Sequence, residues 1–137
     1  MKTVYKTLKI ETKKKIELID ITNEVENFVR ESNIKNGFCL VFAPHATAAI
    51  IANENEKGLI NDIIRKIKEE FPQEYNWEHD RIDDNAYAHI ASSFIGASKV
   101  FPIIDGRLIR GTWQNIFLVE LDGPRFIRNV ILQIIGE

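Results

Sequence analysis

The 137-residue chain contains one cysteine, one methionine, four prolines and seven glycines, and each scarcity removes a class of protein. A lone cysteine cannot close a disulfide within the chain, so a small secreted fold stapled by disulfides is excluded. Too little proline and glycine is present for a collagen-like or linker-rich chain. No apolar run approaches the roughly 18 residues that cross a bilayer. Met1, Lys2 and Thr3 lead straight into a strand pattern with no apolar signal core, so a cytoplasmic protein without membrane contact is expected. Eighteen Lys and Arg against 20 Asp and Glu give a net charge of −2, without the basic excess of a protein built to hold nucleic acid. There is no HExxH, no paired CxxC, no P-loop and no glycine-rich dinucleotide fingerprint. What remains, 45% hydrophobic and 28% charged residues, is the composition of one globular domain over residues 1–137.

Periodicity supplies the elements. Val4 to Ile10 and Lys15 to Ile21 alternate loosely around Lys13, Lys14 and Lys15 and read as a first hairpin with a solvated turn. Thr22 is placed to cap a helix whose stripe is Val25, Phe28 and Val29 and which ends near Asn36 and Gly37. Phe38 to Phe42 is a continuous apolar run, the mark of a central strand, and makes Cys39 a small buried hydrophobe. A strand follows His45. From Gly58, Leu59, Ile60, Ile63, Ile64 and Ile67 recur at helical spacing until Pro72. A polar loop runs to Asp84, and Asp84 or Asn85 would cap a third helix that Gly96 ends. Asp105-Gly106 marks a tight hairpin. Trp113 to Leu121, Asp122-Gly123-Pro124 and Phe126 to Ile135 read as strand, turn and strand, giving three adjacent antiparallel strands. The pattern predicts an α+β domain, a largely antiparallel sheet or sheets with about three helices packed on it.

Candidate chemistry begins with the histidines. His45, His79 and His89 all sit at element ends or in loops, where they could converge on a divalent metal such as zinc, or each could hydrogen-bond a nearby carboxylate such as Asp80 or Asp84. The same region supports phosphate handling. Arg125 could form a bidentate pair with a phosphate, Ser92, Ser93 and Thr112 could donate hydroxyls, and Glu54, Asp83 or Asp84 could hold magnesium. Trp113 is either core or a stacking surface for a flat ring.

These residues recur in a longer constellation: His45-Ala-Thr47-Ala-Ala-Ile, Asn53-Glu54-Asn55, Glu78-His79-Asp80, His89 with Ser92-Ser93, Asp105-Gly106-Arg107, Gly111-Thr112-Trp113-Gln114, and Glu120-x-Asp122-Gly123-Pro124-Arg125. In order and spacing it resembles the YjbQ family, also called secondary thiamine-phosphate synthases. Tyr87 stands where that family often has an acidic residue. The resemblance implies a compact α+β homotrimer and a weak activity joining hydroxymethylpyrimidine diphosphate to a thiazole phosphate with release of pyrophosphate. It further implies that Arg125 and a divalent metal, zinc or magnesium, neutralise the diphosphate, with His45 or His89 as acid, base or ligand and His79 completing a metal set. Asn85 and Gln114 would orient the ring, Glu54 would hold a metal-bound water or a histidine, and Thr47, Asn53, Ser93, Thr112 and Trp113 would contact the substrate. Two other readings fit the same residues: a metal-dependent hydrolase of an unknown phosphorylated substrate, and a trimeric ligand-binding protein without enzymatic activity.

Overall fold

A computed structural model describes residues 1–137. Twelve elements follow in order: β1 (Lys2–Ile10), β2 (Glu17–Asp20), α1 (Thr22–Ser32), β3 (Gly37–Phe42), β4 (Ala48–Asn53), α2 (Lys57–Glu70), a 3-10 turn (Glu78–Arg81), α3 (Ala86–Ile95), β5 (Ser98–Ile104), β6 (Arg107–Leu108), β7 (Asn115–Glu120) and β8 (Arg128–Gly136). All strand pairs are antiparallel. The strands form a five-stranded sheet ordered β1-β8-β3-β5-β6 and a three-stranded sheet ordered β2-β7-β4.

Two cores follow from this division. The inward faces of the large sheet supply Leu8, Cys39, Val41, Phe101, Ile103, Val130, Leu132 and Ile134, which pack with α1 and with Ile50, Ile116 and Leu118 of the small sheet. The other face of the small sheet carries Ala49, Val119 and Leu121 against Ile67 of α2 and Tyr87, Ala88 and Ala91 of α3. β7 is thus covered on both faces, which is why its sequence is apolar without alternation. β3 is the middle strand of the large sheet, as its apolar run predicts. Cys39 is fully buried, and burial pushes its thiol up to about 12, so it is an inert hydrophobe.

Several local expectations hold. The Asp105-Gly106 turn joins β5 to β6 with φ values of 52° and 77°, the left-handed pair that a two-residue hairpin requires. α2 begins at Lys57, one residue earlier than expected, because the Glu56 carboxylate accepts the Gly58 and Leu59 N–H groups at 2.8 Å each.

Three expectations are corrected. β1 and β2 do not form a hairpin: β1 pairs with β8 in the large sheet and β2 with β7 in the small one. Alternation tells which face of a strand is buried but not which strand lies beside it. Likewise β7 and β8 are not neighbours, because residues 121–127 carry the chain from one sheet to the other. The caps differ too. Thr22 is the first residue of α1, its hydroxyl tied to Asp20 at 2.6 Å and to the Ile116 N–H at 2.8 Å. At α3 the Ala86 N–H is accepted by Asp80 at 3.1 Å, while the Asn85 side chain turns away to Asp122.

Leu118 is fully buried between the sheets. Leu118→Ala is expected to lower unfolding free energy by about 2–5 kcal/mol, read as a lower urea midpoint with an unchanged slope.

Candidate functional site

Two of the sheet-to-sheet crossings, β1 to β2 and β7 to β8, lie side by side. The Thr12 N–H donates to the Arg125 carbonyl at 2.9 Å and the Gly123 N–H to the Lys15 carbonyl at 2.9 Å, so residues 11–16 and 121–127 form one corner of the molecule. Gly123 is required there, since a Cβ at this position would lie 2.1 Å from the Lys14 carbonyl oxygen and 2.8 Å from Cγ of Glu120.

Beneath the corner is a buried ion pair. Glu120 is 0% exposed and Arg128 is 3% exposed. The Arg128 Nε donates to Glu120 Oε1 at 2.9 Å and Nη2 donates to the other carboxylate oxygen and to the Thr47 hydroxyl at 2.9 Å. The Thr12 hydroxyl and the Asp122 N–H also donate to Glu120, at 2.7 and 3.0 Å. Burial alone would raise the Glu120 carboxyl, but these bonds from Arg128, Thr12 and Asp122 outweigh it and hold the carboxyl below its ordinary value. The Thr47 hydroxyl, expected to contact substrate, is instead part of this buried set.

Above the pair, Asp122 gathers three side chains. It accepts from Lys15 Nζ at 3.0 Å, from Asn85 Nδ2 at 2.9 Å and from Arg125 Nη2 at 3.1 Å, while Arg125 Nε donates to the Asp122 carbonyl at 2.9 Å. Burial pushes the Asp122 carboxyl up, and the bonds from Asn85 and Lys15 bring it below its ordinary value. The hydrogen bond to Asp122 raises Lys15. Asn85 is buried, yet its Oδ1 has no partner. The corner therefore sets the three cations Lys15, Arg125 and Arg128 against two carboxylates, a local positive excess in a chain of net charge −2.

The histidines divide. The His45 Nε2 accepts the Asn129 N–H at 2.9 Å and lies 3.1 Å from the Asn129 carbonyl oxygen, so in either protonation state this nitrogen faces the backbone of β8. Only Nδ1 is left for chemistry. Burial and then the Arg128 charge lower the pKa of His45, which is a neutral imidazole at pH 7. His79 and His89 meet edge to face, with ring centroids 4.9 Å apart. His89 lies one helical turn beyond Asn85 on α3, so both belong to the same face. No group of three His, Cys, Asp or Glu side chains in the chain is arranged to hold a metal ion. One copy therefore does not assemble His45, His79 and His89 around a metal, because the first is held against β8 and the other two pair with each other.

The remaining expected site residues lie at the far end of the small sheet. Ala48 pairs with Glu120 at one end of β4 and β7, and Asn53 with Asn115 at the other, roughly 17 Å away at about 3.4 Å per residue. At that end Asp20 accepts from Asn55 and Asn115 at 2.7 and 2.6 Å, and Gln114 accepts the Gly111 N–H at 2.7 Å. Glu54, Thr112 and Trp113 belong to this group. Trp113 is 70% exposed, which overturns its reading as core and leaves its ring open to stacking. Ser93 is exposed and its hydroxyl donates back to the His89 carbonyl at 2.8 Å. Within one copy, then, Asn85 and Arg125 meet at Asp122, His79 meets His89, and Asn53, Glu54, Thr112, Trp113 and Gln114 stand apart.

Glu120, Arg128, Asp122, Lys15 and Thr12 had no assigned role in the sequence reading. A signal existed for two of them: Glu120 interrupts the apolar run of β7 and Arg128 heads that of β8, and buried charges require partners.

Comparison with known proteins places these features. The family model described as UPF0047 protein YjbQ-like matches residues 6–137. A UPF0047 protein of Archaeoglobus fulgidus is 41% identical over 124 residues, covering 90% of this chain and 96% of that one. The UPF0047 protein YugU of Bacillus subtilis is 45% identical over 124 residues, covering 88% and 91%. Among solved structures, a YbjQ-like protein of unknown function from Sulfolobus solfataricus superposes with a TM-score of 0.98 at 53% identity, covering 99% of each chain. A hypothetical protein of Aeropyrum pernix superposes with a TM-score of 0.92 at 40% identity over 100% of each.

Lowered folded-state values for His45, Glu120 and Asp122 all mean that the unfolded chain binds more protons. Their contributions are complete above the unfolded values and fade as pH falls, first below 6.5 for His45 and then below 4.5 and 3.8 for Glu120 and Asp122. Urea midpoints should decline in that order on acidification. Glu120→Gln, which leaves Arg128 unpaired, is expected to cost about 3–5 kcal/mol at pH 7 and to flatten the decline below pH 4.5.

Proposed function

The chain belongs to the YjbQ-like UPF0047 family, and from that premise we propose that it is an enzyme acting on a small phosphorylated substrate held at the Asp122 turn. The observation that carries this reading is the Arg125 guanidinium. Its Nε and Nη2 are fixed by Asp122, its Nη1 has no partner within the chain, and the side chain is 44% exposed. A guanidinium locked in orientation with one edge free is preorganised for a phosphate, and the local positive excess favours that charge.

The finer reading is a transferase of the secondary thiamine-phosphate synthase kind. In that reaction the bond from the pyrimidine methylene to the diphosphate breaks, a bond to the thiazole nitrogen forms, and pyrophosphate leaves with the electron pair. Charge builds on the leaving group, which Arg125 would neutralise. His45 would exchange a proton through Nδ1, and His89 and Asn85, on one face of α3, would orient the ring.

If Gln114, Glu54 and Trp113 contribute as well, a second copy must bring them, because in one copy they lie across the molecule. Assembly as a homotrimer is supported by the outer face of the large sheet, where Phe38 and Val100 are each 59% exposed and Ile104 and Ile135 stand beside them. The His79 and His89 pair favours one rival, a metal-dependent hydrolase, since two adjacent imidazoles need only a third donor from elsewhere to ligate zinc or another divalent ion.

Arg125→Ala should reduce thiamine-phosphate formation at least about a hundredfold in kcat/KM and abolish calorimetric pyrophosphate binding. Full activity and binding in that variant would remove the proposal. Stoichiometric metal in the purified protein, with metal-dependent turnover of generic phosphoesters, would move the assignment to the hydrolase. Phe38→Asp is expected to lower the mass by light scattering from three copies to one.

A further inference from the structure

A cavity of about 350 Å³ lies on the Lys15 side of Asp122, between Lys15, Ile16, the end of α2 and Tyr87 of α3. Its walls divide by chemistry. Ile16, Phe71 and Pro72 give it apolar surface, and Lys15 and Lys68 bring two ammonium groups to it. Tyr87 is 2% exposed, and its hydroxyl has no hydrogen-bond partner.

That hydroxyl is the informative group. A phenylalanine would fill the same volume among Ile67, Ala88 and Val119 without stranding a donor, and a buried polar group without a partner is destabilising. Lys15 Nζ stands 5.7 Å from the Tyr87 ring centre, donates to Asp122 and lies beside the phenol, each of which raises its pKa. Lys68 is exposed and takes part in no ion pair. Burial raises Tyr87, so the phenol stays protonated and available as a donor at neutral pH. Two ammonium groups and a buried phenol thus border an otherwise apolar cavity.

We propose that this cavity binds a small organic oxyanion, a carboxylate or a phosphate monoester, with its charged head among Lys15, Lys68 and the Tyr87 hydroxyl and its apolar body against Ile16, Phe71 and Pro72. The volume is at the lower end of the roughly 300–1,000 Å³ of small-molecule pockets, which limits the body to about one substituted ring. The proposal stands on the cavity itself and not on the reading of the Asp122 turn, although Lys15 is common to both.

The test is a titration of the full ¹⁵N-labelled chain with benzoate and, separately, with phenyl phosphate, followed by NMR. Saturable shifts at the amides of Ile16, Phe71 and Tyr87 are expected for at least one probe, and the tighter of the two identifies the head group. Lys68→Glu should weaken binding about tenfold or more, and Tyr87→Phe several-fold with no loss of thermal stability. Arg125→Ala should weaken binding less than Lys68→Glu does, because Arg125 reaches this pocket only through Asp122, which it shares with Lys15. The proposal is overturned if neither probe saturates, if both cavity variants bind as the parent does, or if binding is lost in Arg125→Ala and kept in Lys68→Glu.

Discussion

The carboxylate of Glu120 is the constraint on which the rest depends. It is fully buried at the end of β7, where an unpaired charge would be strongly destabilising, and it is tolerated because four donors from three parts of the chain converge on it. Thr12 brings the crossing from β1 to β2, Asp122 that from β7 to β8, and Arg128 the start of β8. Two sheets that share no strand are thereby locked at one corner by a single side chain. Hydrophobic contact between their faces sets the spacing, but it is non-directional. The hydrogen bonds to Glu120 fix the angle and register at which the crossings meet.

The proposed site inherits its rigidity from that corner. Asp122 is held through its N–H by Glu120, and it in turn fixes Lys15, Asn85 and Arg125. Arg125 is an exposed residue on a loop, and loop residues usually sample many rotamers. Here its N–H is bound by the Thr12 hydroxyl at 2.8 Å and its guanidinium by Asp122 at two points. Three successive layers, from Glu120 to Asp122 to Arg125, carry order from a buried pair to the surface, the arrangement that lets a binding group be preorganised without being buried.

How much of this could be read from the sequence depends on the range of the interaction. The helices at 22–32 and 57–70 were visible in their apolar spacing, the helix at 86–95 in the residues at its ends and the 105–106 turn in its residue types, because these signals are local. Strand partners were not legible. The alternation of β1 is equally consistent with β2 or β8 beside it, and only the non-local contact of Thr12 with Glu120, 108 residues apart, decides between them. For the candidate site the sequence offered residues without their places. Asn85 and Arg125 do meet, yet Gln114 and Trp113 fall at the other end of β7, since a motif in sequence order says nothing about which end of a strand each part occupies. At α3, Asn85 holds the cap position as expected but does not make the capping bond: Asp80, six residues before Ala86, reaches forward from the 3-10 turn and frees Asn85 for Asp122.

β1 is a nine-residue edge strand of the large sheet, long enough to recruit another chain by backbone pairing. Its Lys6 shares a face with Val4 and Leu8, so it stands where an apolar residue would continue the core stripe, and it is exposed there. An antiparallel copy of β1 centred on this position would set one ammonium against another. In that register the edge resists the addition of a second chain, so a single lysine on the inward stripe guards the longest open strand of the molecule.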